Sequence, residues 1–174
     1  MLHTLSMDDK KSAPFGYVNS PEPIGAAFSP DGHWVAYASS IAGGTSNDSG
    51  IFIQPFPANG TVYQVPKVRR GSRAFHPVWA PDGKTIFYVA NSAQPFVVVS
   101  IKTQPSVTFG SPMQLPLSVP RPALISTNVR GYDLLPDGRI LTLVPTADPG
   151  TTARSEIRVV INWFEELKRL VPVQ

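Results

Sequence analysis

The sequence contains no cysteine among its 174 residues. A disulfide framework and a thiolate zinc site are therefore both excluded. Charged residues make up only 16% of the chain, whereas hydrophobic residues make up 42%. Intrinsically disordered chains have the opposite balance, so this composition indicates a folded protein. The length is that of one ordinary domain.

Long apolar runs are also missing. No stretch approaches the roughly 18 apolar residues that a membrane-spanning helix needs. The N-terminal stretch carries Asp8, Asp9, Lys10 and Lys11 without an apolar core, so it does not read as a signal peptide. We expect a soluble product of unknown compartment, with any signal or anchor lying upstream if the chain was cut from a longer protein.

Acidic residues are scarce in the middle of the chain. Between Gly50 and Tyr132 the only acid is Asp82, against eight cations: Lys67, Arg69, Arg70, Arg73, Lys84, Lys102, Arg121 and Arg130. Two interpretations are open, a set of solvated loop residues or a surface for an anionic partner. No aromatic alternation accompanies the cluster from Lys67 to Arg73, so a nucleic-acid partner is not expected.

Breakers of regular helix are abundant, with 19 prolines and 13 glycines. Proline removes a backbone donor and glycine adds chain entropy, so an all-α bundle is not expected. Many of these residues belong to an internal repeat. Residues 27–37 align with 78–88, and residues 132–142 form a third, weaker copy, each containing Pro-Asp-Gly. The spacing of about 50 residues is typical of propeller repeats.

Each copy predicts a hairpin. Pro-Asp-Gly is a turn sequence, and the β-branched and aromatic run that follows it is typical of a strand. Further strands are predicted at 51–56, 61–65, 96–101, 113–117 and 157–163, with a turn at 57–60. Four-stranded units around an axis are the plan of a β-propeller, in which each unit is called a blade.

The predicted fold is therefore all-β, a partial β-propeller of about three four-stranded blades within one domain, 1–174. The blade-like units span about 24–65, 75–117 and 129–163, and apolar spacing predicts a short C-terminal helix at about 163–170. Residues 2–5 are expected to be the last strand of a preceding, missing blade. The third blade lacks its fourth strand.

The string from Phe28 to Tyr37 resembles the WD40-like (PD40) propeller repeat of the TolB type. The ordered series that continues through 51–57, 77–88, 131–139 and 160–168 resembles the C-terminal region of bacterial eukaryotic-like serine/threonine protein kinases. That resemblance implies a ring of about six blades, attached to a signalling kinase as its sensor. The kinase motifs themselves are absent from this chain, so kinase activity is not carried over.

Residues with catalytic chemistry are few, and we assign none as catalytic, cofactor-binding or metal-ligating. His33 is expected in a solvent-facing turn and His76 near an inner strand, with no partner at metal spacing. The trio Asp31, Asp82 and Asp137 is interpreted as turn residues. Equivalent turns of adjacent blades are expected to lie far apart, which argues against shared acid–base work.

The sequence also predicts the surroundings of one aspartate and of the three tryptophans. The order of the third copy places Asp133 at the inner-strand position that Phe28 and Trp79 hold elsewhere, so we expect it buried, with Arg130 as its partner. The tryptophans are expected to pack between blades, with an aromatic ligand platform as the alternative: Trp34, Trp79 and Trp163.

Three functions remain open. The favoured one is a non-catalytic binding or sensing module for a protein, peptide or glycan, needing no cofactor. The second is the propeller portion of a hydrolase or peptidase whose catalytic groups lie elsewhere. The third is a half-ring protomer that pairs with a second copy through residues 2–5 and 157–163 to complete the ring.

Overall fold

A computed structural model of the protein describes residues 1–18, 25–40, 49–69, 71–90, 96–116, 130, 132–137 and 139–142. All regular structure in these residues is β-strand, and every strand pairing is antiparallel. The all-β prediction is therefore confirmed.

The N-terminal hairpin comes first, formed by β1 (His3–Leu5) and β2 (Ser12–Pro14). A four-stranded sheet follows, in which consecutive strands are neighbours: β3 (Ala26–Phe28), β4 (Trp34–Ser40), β5 (Ser49–Pro55) and β6 (Tyr63–Gln64). We call it the first sheet. Its strand order matches that predicted from the first repeat.

The second sheet repeats this plan. It contains β7 (Ala74–Trp79), β8 (Thr85–Ala90), β9 (Phe96–Lys102), β10 (Thr108–Phe109) and β11 (Met113–Gln114). Both β10 and β11 pair with β9, so two short pieces share the edge where the first sheet has a single fourth strand. The C-terminal hairpin joins β12 (Tyr132–Leu134) to β13 (Ile140–Thr142).

The first and second sheets pack face to face, and further apolar clusters cover their other faces. Side chains of β4 alternate between two apolar layers. Ala36 packs towards the second sheet, whereas Val35 and Tyr37 pack with residues that flank the N-terminal hairpin, namely Leu2, Phe15 and Val18. The opposite face of the second sheet presents Val89 and Phe96 to the C-terminal hairpin. Both central sheets are thus buried on two faces, as the pleat of a strand permits.

The Asp-Gly hairpins form as the repeat predicts. Gly32 and Gly83 have positive φ angles of 73° and 67°, a conformation that glycine adopts at little cost. Closing bonds run from the Ser29 N–H to the Trp34 carbonyl and from the Ala80 N–H to the Thr85 carbonyl, each 2.8 Å. In the third copy the equivalent bond runs from the Leu135 N–H to the Arg139 carbonyl. This turn is therefore one residue shorter than the turns of the first two copies.

Some strands were not predicted. Residues 2–5 were expected to form the last strand of a missing blade; β1 does lie there, but it pairs with the unpredicted β2. The strand β10 was also missed. The predicted strand at 157–163 and the helix at about 163–170 lie outside the described residues.

A set of polar contacts, which we call the polar junction, links the start of β5 in the first sheet to the start of β7 in the second. The hydroxyl of Ser49, the first residue of β5, donates to the Ala74 carbonyl (3.2 Å) and accepts from the Ala74 N–H (3.1 Å). The Lys67 ammonium donates to the carbonyls of Ser49 (3.2 Å) and Ser72 (2.9 Å). Ser49 and Ala74 are both buried, so no water replaces these bonds if they are lost.

We predict that Ser49→Ala lowers the free energy of unfolding by about 1–3 kcal/mol, because both backbone groups of Ala74 lose their buried partner. Urea denaturation measures this change. The matched control is Ser111→Ala at an exposed position, where a change within about 0.5 kcal/mol is expected. Equal stability of the two variants would show that the junction does not hold the sheets together.

Candidate functional site

An open groove of about 970 Å³ lies between the N-terminal hairpin and the outer face of the first sheet. We call it the aromatic groove. Its walls come from three separate stretches of chain: the hairpin with the residues that follow it, the paired strands β4 and β5, and the turn after β5. The principal side chains in the groove are Phe15, Tyr17, Tyr37, Phe52, Gln54 and Phe56.

The segment after β2 is held against the start of the chain by backbone hydrogen bonds. The Phe15 N–H donates to the Leu2 carbonyl (2.9 Å), and the Leu2 N–H donates to the Val18 carbonyl (3.0 Å). Between these anchors Gly16 has a φ of +56°, and a Cβ there would lie 3.0 Å from Gln54 Oε1. The resulting turn projects Tyr17 into solvent, where it is 99% exposed.

Aromatic rings form a continuous series along the groove. Phe56 stacks on Phe15 at 6.2 Å, Phe15 meets Tyr37 edge-on at 6.5 Å, and Tyr37 stacks on Phe52 at 6.0 Å. Phe28 extends the series by an edge contact with Phe56 at 5.0 Å. These geometries are the favourable ones for aromatic pairs, so the rings support one another and are preorganised. Phe52 and Phe56 remain half-buried, which leaves ring surface facing the groove.

The polar groups of the groove are neutral. The Gln54 amide is buried and donates from Nε2 to the Tyr37 hydroxyl. Burial raises the pKa of Tyr37 above its usual range, so the phenol is protonated at neutral pH. Further hydroxyls come from Thr4, Ser39 and Ser40. Because no Asp, Glu, Lys, Arg or His is among the described residues that line this groove, it offers stacking and neutral hydrogen bonds to a ligand.

A second cleft, of about 820 Å³, lies between the first two Asp-Gly turns and is lined by Asp31, Asp82, Lys84 and Lys102 among others. A Cβ on Gly83 would lie only 3.8 Å from Pro30 Cδ, so these turns are neighbours. The expectation that adjacent turns lie far apart is therefore wrong for this pair. The stacking of the first two sheets brings the equivalent ends of their hairpins together.

The three turn carboxylates have the structural role predicted for them. Asp31 Oδ1 accepts from the His33 N–H (3.0 Å), Asp82 Oδ1 from the Lys84 N–H (2.9 Å), and Asp137 Oδ1 from the Arg139 N–H (3.0 Å). Each is the same side-chain bond to the backbone two residues later. The Ser29 hydroxyl and the His33 N–H lower the pKa of Asp31, which keeps its carboxylate ionised.

The structure places His33 in a turn, as predicted, and His76 in a strand. His33 is exposed in its turn, and His76 lies in β7, the first strand of the second sheet. His76 is buried with a φ of +52°, at a register shift between Phe75 and Val78. Its carbonyl accepts a 2.6 Å hydrogen bond from the Tyr132 hydroxyl. Among the described residues no group of three or more His, Asp or Glu is placed to hold a metal ion.

The expectation for Asp133 is only half right. Its side chain is 57% exposed, not buried, although Arg130 is its partner at 3.5 Å. Strand register explains the difference: Leu134 pairs with Ile140, as Phe28 does with Val35 in the first hairpin. The apolar position therefore belongs to Leu134. The third copy has one more residue before its proline than the other two, so counting from the start of the copy misplaces this position by one residue.

The remaining expectations concern packing. Trp79 is buried between the two central sheets and Trp34 packs at the edge of the same layer, so both are core residues, as predicted. Trp163 lies outside the described residues. In the basic stretch, the Lys67 ammonium donates to the Ser49 carbonyl in the polar junction. The Arg73 guanidinium lies 4.8 Å from the Phe75 ring centre. These two cations make structural contacts.

In the part of the chain that the structure describes, no helix is long and apolar enough to cross a membrane. No protein-family model matches the sequence. A comparison with curated proteins found no match.

We predict that Asp31→Ala lowers the free energy of unfolding by about 0.5–1 kcal/mol at neutral pH, because an exposed turn loses its side-chain bonds. Asp31→Asn keeps an oxygen acceptor, so its free energy of unfolding should fall by less than that of Asp31→Ala. The folded-state pKa is lowered, so the wild-type carboxylate contributes stability above about pH 3.9 and loses it as the pH falls further.

Urea midpoints at neutral pH and at about pH 3 test this prediction. The advantage of the wild type over Asp31→Asn should shrink at the lower pH. Asp8→Asn, at an exposed position in the N-terminal hairpin, is the control and should leave the neutral-pH midpoint unchanged. An advantage that grows on acidification would contradict the assignment.

Proposed function

We propose that this chain is a non-catalytic binding module of the β-propeller type, and that the aromatic groove receives its ligand. The observation that carries the proposal is an open groove of about 970 Å³ with preorganised rings and no charged group among its described lining residues. Ligand sites are typically concave, largely apolar and supplied with a few placed polar groups.

The stacked sheets support the propeller assignment. A sheet of four consecutive antiparallel strands and a sheet of five, in which β7 to β10 are consecutive neighbours, lie face to face with an apolar layer between them. Blades of a propeller pack in this way around their axis. The sequence resemblance supports placing the module in a TolB-like protein or beside a bacterial signalling kinase.

The chemistry of the groove favours binding over catalysis. General acid–base catalysis needs a group whose pKa lies near the working pH. Burial raises the pKa of Tyr37 away from that range, and the other polar groups of the groove are hydroxyls and one amide. In the second cleft, Asp31 and Asp82 each accept a hydrogen bond from the backbone of their own turn. A peptide, protein or glycan bound without turnover is the function that these groups support.

Ligand binding should stabilise the fold. A ligand present at 100 times its dissociation constant adds about 2.7 kcal/mol, which raises the melting temperature of a domain this size by about 5–10 °C. Thermal denaturation with a panel of uncharged peptides and neutral oligosaccharides, each at millimolar concentration, measures this shift.

Two variants test whether the ligand that raises the melting temperature binds in the groove. Tyr17→Ala and Val62→Ala remove lining side chains that are 99% and 49% exposed, so the fold should survive both changes. They should reduce the ligand-induced shift, whereas Met113→Ala, at 59% exposure outside the groove, should leave it intact. The proposal fails if no member of the panel stabilises the protein, or if the groove variants respond like the control.

Self-association is a second candidate function, favoured by the N-terminal and C-terminal hairpins of the described residues. The N-terminal and C-terminal hairpins contain two strands each within the described residues, and a two-stranded sheet is marginally stable by itself. They expose Leu5 (58%) and Leu141 (61%). A second copy that pairs with these hairpins would complete a four-stranded layer and bury both leucines.

Analytical ultracentrifugation over a range of concentrations tests this candidate. A monomer–dimer equilibrium is expected, and Leu5→Lys should shift it towards monomer because a charge replaces a contact side chain. Met113→Lys is the control and should leave the equilibrium unchanged. A monomer at every concentration would refute self-association while leaving the binding proposal intact.

A further inference from the structure

We infer that Asn59 is a site of spontaneous deamidation, and that the product places a negative charge at the rim of the aromatic groove. The modified residue is an aspartate or an iso-aspartate, and the only co-reactant is water. This inference concerns the covalent state of the chain and holds whether or not a ligand occupies the groove. It is argued from the residue after Asn59, from the conformation of the turn and from the charge of the groove.

Asn59 is the only asparagine of the chain that precedes a glycine. Deamidation begins when the backbone nitrogen of the next residue attacks the side-chain amide carbon, and a Cβ on that next residue hinders the approach. Gly60 has no Cβ, so its nitrogen is the least hindered one. The other five asparagines precede serine, aspartate, valine or tryptophan.

The turn between β5 and β6 leaves both reacting groups accessible. Asn59 and Gly60 are exposed. Gly60 has a φ of +88°, and beyond its chain neighbours no atom lies within 4 Å of the position that a Cβ would take. Its N–H donates no hydrogen bond to a described residue. The Gly60 nitrogen can therefore lose its proton to solvent and approach the amide without breaking a hydrogen bond of the fold.

The Asn59 side chain folds back across Gly60 instead of pointing away from the turn. Its Oδ1 accepts a 3.0 Å hydrogen bond from the Thr61 N–H, two residues later. When the Gly60 nitrogen attacks the amide carbon, negative charge develops on this oxygen, and a donor already in place stabilises that charge. The hydrogen bond thus polarises the amide for the reaction.

The reaction consumes one water and releases one ammonia, with no change of oxidation state. The Gly60 nitrogen forms a bond to Asn59 Cγ and the Cγ–Nδ2 bond breaks. Nδ2 leaves as ammonia, carrying the equivalent of the proton that the Gly60 N–H gave to solvent. Water then opens the five-membered imide ring. Cleavage of the bond from nitrogen to Cγ gives aspartate, and cleavage of the bond from nitrogen to the backbone carbonyl carbon gives iso-aspartate.

The Asp-Gly turns of the repeat provide a contrast, because the same ring closure is possible there in principle. Gly32 and Gly83 each donate their N–H to the carbonyl three residues earlier, at 2.9 Å, so the attacking nitrogen is already engaged. The pKa of Asp31 is also lowered by the Ser29 hydroxyl and the His33 N–H, and an ionised carboxylate is a poor electrophile. Asn59 is therefore the position that reacts first.

The new charge arises in neutral surroundings. Ala58 and Gly60, on either side of Asn59, line the aromatic groove, and no Asp, Glu, Lys, Arg or His is among its described lining residues. A carboxylate at this rim attracts cations and repels anions. Aspartate keeps an oxygen that accepts from the Thr61 N–H, whereas iso-aspartate lengthens the backbone of the turn by one methylene. Ageing of the chain therefore changes the charge of the groove.

Peptide mapping by mass spectrometry tests the inference on the full chain, held at neutral pH and physiological temperature. We expect Asn59 to acquire the mass of the acid over time, with iso-aspartate as the larger product, while the other five asparagines stay amides over the same period. The modified protein should elute earlier from a cation exchanger, as the Asn59→Asp variant does. Asn59→Gln should abolish the change at this position, because the corresponding six-membered ring closes more slowly.

A synthetic peptide of residues 55–65 measures what the turn itself contributes. The native chain should react within about threefold of the peptide rate, because no unfolding is needed to reach the reacting groups. Gly60→Ala should react roughly tenfold more slowly than the wild type, since its Cβ hinders the nitrogen. Circular dichroism of each variant establishes that it is folded.

Two results would overturn the inference. One is an Asn59 amide that persists in the native chain while the peptide is converted. The other is conversion of another asparagine as fast as that of Asn59. Neither measurement uses a ligand, so the inference can fail while the binding function stands, and the binding function can fail while the modification is observed.

Discussion

Burial of both faces of the first sheet is the constraint on which the rest of the structure depends. A strand whose two faces are both buried must supply apolar side chains at successive positions, and β4 does so from Val35 to Ala38. One set of these side chains contacts the second sheet and the other contacts the N-terminal segment. Neither neighbour can be removed without exposing an apolar face, so the order of the stack follows from this one sheet.

The repeated turn determines how the stack is joined. Each Pro-Asp-Gly copy uses a carboxylate to hold the backbone two residues later, and the first two copies bring their turns into contact as the sheets stack. The opposite end of the stack is held by the polar junction at Ser49. Local turn chemistry and a few buried polar bonds thus fix the relative position of two sheets whose main contacts are non-directional apolar ones.

Sequence patterns predicted the parts of the fold that depend on neighbouring residues. The strands after each Asp-Gly turn and the core positions of Trp34 and Trp79 follow from turn chemistry and apolar periodicity. The strand β2 was missed because Ser12–Pro14 has no apolar alternation and is exposed throughout; it is identified only through its pairing with β1. The position of Asp133 was misjudged because the copies were aligned at their first residue, and the third copy has one more residue before its proline than the other two. Counting back from the proline gives Leu134, which lies two residues before Pro136 as Phe28 lies two residues before Pro30.

The aromatic groove could not be predicted, because its residues come from stretches that are distant in the sequence and meet only through stacking. The sequence predicted strands at the segments that contain Tyr37 and Phe52, but it did not predict that these two residues share a face or that the cover of this face is incomplete. The described residues that cover this face are Leu2, Phe15 and Val18, and part of the face remains open beside them.

The N-terminal hairpin relates the two candidate functions physically, because Thr4, Ala13 and Pro14 of its strands line the groove. A layer that extended this hairpin across the groove, whether from a second copy or from another protein, would cover the aromatic rings. Ligand binding and completion of that layer would then compete for the same aromatic surface, in proportion to their free energies. A groove ligand that dissociates an oligomer would follow from that competition, without any change within the two central sheets.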